Sequence, residues 1–387
     1  MSFKISRDFF FDLFESQVIP EPIDFIVSVE QPEQVLLSNA DFNKLTSNKV
    51  YYSLKSIPRY LKPTFNIDYK TKRITQFHQG YAIKINKNYT CVDTHVTAQF
   101  KKKAREIRRY VKRLEMCFDI SYNMYFGDIS QLEYDNLFEE LRVMLQERFI
   151  QKKEINDRLL EWDRLYNMFY DLINENKASI FVVYESGKPI SISLNYILGR
   201  FYFNAIASYN LDYSKFGLGN VIIYKQLDWC IANKFTHYEM GRGDYDYKRR
   251  WSNQIYTLDH FLVIPKRSNL VTILAFKIEG FKIQFFEFLR SKKLNLIYNK
   301  IKNNLHFLNK KEDVLEYHVS AFKDAKALEL MEVINYDQND YLKLNKPVND
   351  FLFSNSVHKS FLKVFKTPNK LEFVLAAKNK FQKVTFL

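Results

Sequence analysis

Glu239-Met-Gly-Arg-Gly-Asp-Tyr-Asp-Tyr-Lys-Arg-Arg-Trp251 is the stretch from which the rest of the chain is best read. A short strand, Thr236 to Met240, delivers a carboxylate and then turns through Gly241 and Gly243 into alternating acidic, aromatic and basic side chains. Such a strand end gathers proton-transfer and anion-binding groups at one sheet edge. The plain alternative is a solvated turn with surface ion pairs. A second glycine-marked turn close upstream makes that alternative less attractive.

That second turn is Ser214-Lys-Phe-Gly-Leu-Gly-Asn220, which opens a helix whose Ile223, Leu227 and Ile231 mark one face. The first amides of a helix have no partner within it and lie at the positive end of its dipole, so a pyrophosphate could rest on them. Glycine leaves room for that approach. Six of the nine glycines fall between Gly187 and Gly243, so the functional site is sought there.

Further upstream the period is two. The apolar run Ile180 to Tyr184, the turn Glu185-Ser-Gly-Lys188, the alternation of Ile190, Ile192 and Leu194 with polar residues, and Phe201 to Ile206 after Gly199-Arg200 read as a three-stranded antiparallel meander. Two helices precede it. One follows the capping-box spelling Ser130-Gln-Leu-Glu133 with Leu137, Leu141 and Met144 on a stripe, and the other carries Leu165, Met168, Phe169, Leu172 and Ile173. Before them, Lys101 to Glu115 is a cationic helix with Ile107, Val111 and Leu114 at helical spacing. Residues 1 to about 100 give short mixed signals, including Ile23 to Val29 and the alternating Tyr81-Ala-Ile-Lys-Ile85.

The whole chain of 387 residues, with 47% hydrophobic and 26% charged residues and only nine Gly and nine Pro, is a folded protein and no linker-rich or disordered one. Its net charge of +14 suits a polyanionic partner, such as nucleic acid, an anionic membrane face or a phosphorylated substrate. From Lys266 onward there are 22 basic against 12 acidic residues, so the surplus lies mainly in the last third. There the chain reads as helical, basic and aromatic, with Ile273, Phe276, Phe281, Phe285 and Phe288 beside Lys277, Lys282, Arg290, Lys292 and Lys293. These apolar residues do not fall on one clean stripe, so part of the segment is expected to pack on the body, with contact to an anionic membrane face as the alternative. The segment from about Val333 is left unassigned.

Cys91, Cys117 and Cys230 are too scattered for a disulfide framework or a zinc site, and Cys230 sits at a core-compatible helical position. No metal is expected. A nucleophile elbow and a phosphate loop with Gly-Lys-Ser or Gly-Lys-Thr are both missing from the sequence. The N-terminal stretch lacks signal-peptide features and no run of apolar residues is long enough to span a bilayer, so a cytoplasmic location is expected.

Residues from about 101 to 251 resemble the acetyltransferase domain of the CelD (cellulose-biosynthesis) type, within the GCN5-related N-acetyltransferase (GNAT) superfamily and related to the FemAB aminoacyltransferases. The phrase Gly241 to Trp251 carries the resemblance. The basic helix around Arg105 to Arg113, the two helices before the meander and the Gly217-Leu-Gly219 helix start support it. It implies an α+β GNAT fold in tandem GNAT-like halves, with a mixed, largely antiparallel sheet flanked by helices and a basic helical C-terminal extension. The corresponding segments are a degenerate GNAT-like half at 1–100, the acyltransferase domain at 101–268 and the extension at 269–387.

The same resemblance implies acetyl-CoA or another acyl-CoA as co-substrate, lying between the strand that ends near Ser208 and the strand that ends at Met240. Its loop would be Ser214, Phe216, Gly217, Leu218, Gly219 and Asn220, with Ser214 standing where the family usually has Gln or Arg. Glu239 is the first candidate for general base and Asp244 the second; Tyr247 would protonate the departing thiolate, and Arg242 and Lys248 would bind phosphate or an anionic acceptor. The activity implied is acyl-CoA-dependent N-acyl transfer to an amino sugar or similar amine in surface-polysaccharide biosynthesis; the basic aromatic segment leaves peripheral contact with the inner membrane face open beside the cytoplasmic location. Two alternatives stay open: a FemAB-like transfer from aminoacyl-tRNA, which the positive charge would suit, and an inactive fold that binds polyanions or membrane surfaces. Outside the tRNA alternative no nucleic-acid partner is expected.

Overall fold

The meander expected from the period-two run is present in the computed structural model, which describes residues 3–39, 47–153, 157–292, 316–322, 324 and 326–387. The N-terminal strands are β1 (Phe3–Asp8), β2 (Ile23–Ser28), β3 (Gln31–Ser38), β4 (Val50–Pro58), β5 (Leu61–Phe65) and β6 (Tyr69–Lys84). Helices α1 (Val92–Phe100) and α2 (Ala104–Cys117) lead to β7 (Ile120–Tyr125), and α3 (Gln131–Lys152) and α4 (Trp162–Asn174) precede the meander. The meander strands are β8 (Ala178–Glu185), β9 (Lys188–Leu198) and β10 (Phe201–Tyr209). Then come α5 (Leu218–Ala232), β11 (His237–Arg242), the short α6 (Asp246–Trp251), β12 (Gln254–Pro265) and α7 (Leu270–Ser291).

Nine of these strands form one mixed sheet in the order β1-β4-β12-β6-β11-β10-β9-β8-β7. Only β1 with β4 and β10 with β11 run parallel, so the sheet is largely antiparallel, as expected. The hairpin between β8 and β9 closes through Ser186 and Gly187, whose φ angles of 49° and 82° suit a tight turn matching the twist of the strands. Ser130 caps α3 by accepting a 3.2 Å hydrogen bond from the Glu133 amide, and Leu137, Leu141 and Met144 are buried behind it with Leu165, Phe169 and Ile173 of α4. The other face is covered by α1, α2 and α5, where Ile107, Ile223, Leu227 and the fully buried Cys230 share a core.

The first hundred residues contribute β1, β4 and β6 to this same sheet and add a three-stranded sheet, β3-β2-β5. Strand β6 lies between β11 and β12, which is why Tyr81, Ala82 and Ile83 are all buried despite their alternating spelling. The expected α+β architecture, a mixed sheet flanked by helices, is therefore observed.

The extension begins with the expected helix, α7. Its residues 293–315, including Lys293, lie outside the described set. The described remainder adds a five-stranded sheet: β13 (Tyr317–Ala321), which is a strand where a helix was expected, and, around and beyond Val333 where no element was assigned, β14 (Glu332–Ile334), β15 (Leu362–Lys366), β16 (Glu372–Ala377) and β17 (Lys380–Phe386), in the order β13-β17-β16-β15-β14. Helix α8 (Asn345–Asn355) packs on it. Leu344, Val348 and Phe351 share a core with Leu114, Phe216, Leu218 and Val221, so this unit rests on the start of α5.

Candidate active site

Strands β10 and β11 pair only from Phe201 opposite His237 to Phe203 opposite Glu239. Beyond that point β10 bulges between Asn204 and Ile206 and continues along β9 to Tyr209, while β11 pairs with β6 on its other side. Two parallel strands that part leave backbone and side chains facing a wedge. The wedge is a cleft of about 420 Å³.

Gly217, Gly219 and Asn220 from the start of α5 line this cleft together with Met240, Tyr247 and Lys248. Gly217 is left-handed, with φ 62°, and a Cβ there would come within 2.7 Å of the Tyr110 ring. At Gly219 an added Cβ meets nothing within 4 Å, so bare backbone at the first turn of the fifteen-residue α5 faces open space. That opening fits an anionic group on the helix amides. The other loop residues divide. Phe216 and Leu218 are wholly buried in the core shared with α8, and Asn220 accepts a 3.0 Å hydrogen bond from the Trp251 indole. Ser214 accepts a 2.9 Å hydrogen bond from Lys346 Nζ and does not line the cleft.

A smaller cavity of about 210 Å³ adjoins the cleft, lined by Phe10, Phe11, Ser56, Arg242 and Tyr256 among others. Met240, Ala205, Arg158 and Lys248 line both spaces. Lys248 thus stands where the two meet. Its Nζ donates a 2.8 Å hydrogen bond to the Arg242 carbonyl oxygen, and burial lowers its pKa to about 8, against the opposing attraction of Glu239. The Arg242 guanidinium is engaged by Asp8 at 3.1 Å and Ser56 Oγ at 2.8 Å, which fixes it on the wall of the smaller cavity.

Glu239 is fully buried and lines neither space. Its Oε2 accepts from Tyr60 at 2.8 Å, and its Oε1 accepts from Tyr256 at 2.7 Å and from the Gly241 amide at 2.6 Å. Burial raises its pKa to about 7, and the three donors keep it from rising further. Tyr256 separates this carboxyl from the smaller cavity. Asp244 is exposed, accepts from the Tyr81 hydroxyl at 2.7 Å, pairs with Arg249 and lines neither space.

Several groups at the site were not singled out by the sequence. Arg148 and Lys152 of α3 line the cleft, and Tyr60, from the turn between β4 and β5, and Tyr256 of β12 hold Glu239. Nothing in the spelling of α3, read as core-facing, distinguishes these two cations from a solvated face. Among the described residues no cluster of His, Cys, Asp and Glu could hold a metal ion.

Residues 101–249 match the family model described as "Acetyltransferase (GNAT) domain". The match spans α3, α4, the meander, α5 and the loop after β11, so the chain carries a GNAT acetyltransferase domain and is an acyltransferase by class. No curated protein matches. Among solved structures the chain is similar to FemX (8% identity, 55% of this chain and 72% of the other, TM-score 0.40). It is also similar to a conserved protein of unknown function from Bacteroides thetaiotaomicron (11% identity, 56% and 70%, TM-score 0.39) and to a tandem GNAT protein from the clavulanic acid biosynthesis pathway (6% identity, 56% and 63%, TM-score 0.29). At these identities and scores the likenesses carry no assignment of substrate.

Proposed function

We propose that the acyltransferase domain at residues 101–249 takes its acyl group from acetyl-CoA or another acyl-CoA and delivers it to an amino sugar or similar amine, as in the CelD type of surface-polysaccharide enzyme. The observation that carries the reading is the cleft itself, lined by the open α5 start and by Lys248, which it shares with the second cavity. The diphosphate would lie on the backbone at Gly217 to Gly219, the pantetheine arm along β10 and β11, and the thioester beside Lys248. The acceptor would enter through the smaller cavity, where the Phe10 and Phe11 rings, Ser56 and Arg242 mix apolar and polar contacts as carbohydrate sites do.

In the transfer the acceptor nitrogen forms a bond to the thioester carbon and the carbon–sulfur bond breaks. The amine must lose a proton. Lys248 touches both spaces and is neutral in a substantial fraction near pH 8, so it is the acceptor of that proton. Glu239, the first candidate from the sequence, acts from behind, orienting Tyr256 and setting the field at Lys248. Tyr247 lines the cleft and can return a proton to the thiolate. Acceptors carried on lipids would place the enzyme at the cytoplasmic face of the inner membrane.

Calorimetry with acetyl-CoA tests the donor. The intact protein should bind it, and Gly219→Val should abolish binding while melting as the parent does, because its side chain enters open space. Equal binding by the variant, or no binding by the parent, removes acyl-CoA and leaves aminoacyl-tRNA or an inactive fold.

A further inference from the structure

Helix α7 has two apolar stripes on opposite sides. The inner one, Thr272, Phe276, Gly280 and Ile283, lies on the sheet: Ile283 packs with Ile74 and Leu262, the Phe276 ring meets Tyr51 edge-on at 6.4 Å, and a Cβ at Gly280 would sit 3.4 Å from Leu262. The outer stripe is Val271, Leu274, Ile278, Phe281, Phe285 and Phe288, each 51 to 72% exposed. At about 100° per residue these six fall within an arc of roughly 100°, whose centre lies about 180° from the inner stripe. Leaving such a face in water is costly, and a chain keeps one only where something covers it.

The charges identify the occupant. The helix has two carboxylates, and both are tied to the body or to their own helix: Glu279 to Lys4, and Glu287 to the Phe77 amide at 2.8 Å and to Arg290. On the outer side, Lys277, Lys282 and Lys292 are exposed beside the apolar stripe, and no acidic residue accompanies them. An apolar strip edged by lysines matches the acyl boundary and the headgroups of an anionic bilayer. A second copy fits poorly, since it would bring these lysines against their own counterparts.

We propose that the outer face of α7 is a membrane-contact surface that seats the protein, with the helix flat in the plane, on anionic phospholipid. Val271 to Phe288 spans about 26 Å at 1.5 Å per residue, and the inner stripe anchors the helix to the sheet, so it lies on the bilayer without crossing it. No helix among the described residues is long and apolar enough to cross a membrane. The inference rests on the peripheral placement in the proposed function and names the surface responsible. It is read without turnover, so its failure leaves the acyl-transfer reading standing and the reverse is equally true.

The test is co-sedimentation of the full chain with phosphatidylcholine vesicles and with vesicles that also contain phosphatidylglycerol. The protein should sediment with the anionic vesicles at low salt, weakly with the neutral ones, and be released by high salt. Replacing Phe281, Phe285 and Phe288 by Ser, or separately Lys277, Lys282 and Lys292 by Gln, should each reduce binding by roughly a hundredfold while leaving the melting temperature and acetyl-CoA binding unchanged. Protein that stays in the supernatant at low salt overturns the proposal. So do variants that sediment like the parent, or a concentration-dependent dimer that the Phe replacements abolish.

Discussion

Lys346, in the first turn of α8, donates a 2.9 Å hydrogen bond to Ser214, just before the helix whose open first turn faces the cleft. The sequence has no basic or amide side chain at Ser214, and the fold brings one there from 132 positions away. The same α8 sets the Phe353 ring edge-on against Phe216 at 5.1 Å, so the C-terminal unit also fixes the loop's backbone. Lys346→Ala should therefore weaken acetyl-CoA binding only through a loosened loop, by about threefold for one lost hydrogen bond, with kcat nearly unchanged. Calorimetry checks it; an unaltered Kd would mean that Lys346 serves the α8 packing alone.

Removing the Lys248 amine should cost far more. Lys248→Met is expected to lower kcat/KM by roughly 10²- to 10⁴-fold, the range of a lost general base, and Lys248→Arg should not restore activity because a guanidinium stays protonated. In the parent, activity should rise with pH through about 8, as the amine becomes neutral. The depressed pKa also has a stability sign. Its contribution is fully present above the usual lysine range and is lost as pH falls through about 8, so Lys248→Met should melt higher than the parent at pH 7. A pH profile flat from 7 to 9 would take the base away from Lys248.

For Glu239 the sign is opposite. A carboxyl raised to about 7 favours the folded state when protonated, so its contribution is fully present below about 4.5 and lost as pH climbs through 7. Glu239→Gln cannot ionise. Its melting temperature relative to the parent should therefore improve between pH 5 and pH 8, and the rise of its activity with pH should move downward, since Lys248 loses a neighbouring negative charge. Thermal melts at the two pH values decide it: a parent-to-variant difference that does not change with pH contradicts a titrating Glu239.

The two glycines at the start of α5 should respond differently. Gly217→Ala meets the Tyr110 ring and holds a left-handed angle, which alone costs about 1–2 kcal/mol, so the protein should melt lower. Gly219→Ala should leave melting within error and affect only ligand affinity. Equal losses of stability would mean that Gly219 is not open.

What the sequence made legible were features written within a few residues of one another: the Ser130 cap with Glu133, the Ser186-Gly187 hairpin, the stripes of α3 and α4, and the glycine-marked start of α5. The site's remaining parts come from contacts between distant segments. Glu239 looks like an available base when read beside Arg242 and Asp244. Only the fold brings Tyr60 from 179 positions away to close it off. Helix α7, read as a helix partly packed on the body, is one, and the two faces explain its broken stripe. Ile273, Phe276, Phe281, Phe285 and Phe288 fail as a single stripe because they belong to two faces, one covered by the sheet and one exposed. The C-terminal strands, three to seven residues long and paired across gaps such as β13 to β17, carry too little local pattern to announce a sheet.

The proposed site puts acyl-CoA in the wedge between β10 and β11 with its phosphates on the first turn of α5. Amide hydrogen exchange with and without acetyl-CoA reads this directly. Protection should appear at the amides of Leu218 to Val221 and along Asn204 to Ala207 and Met240 to Arg242, where the two strands part. Protection confined to other segments, or none at saturating acetyl-CoA, would contradict it.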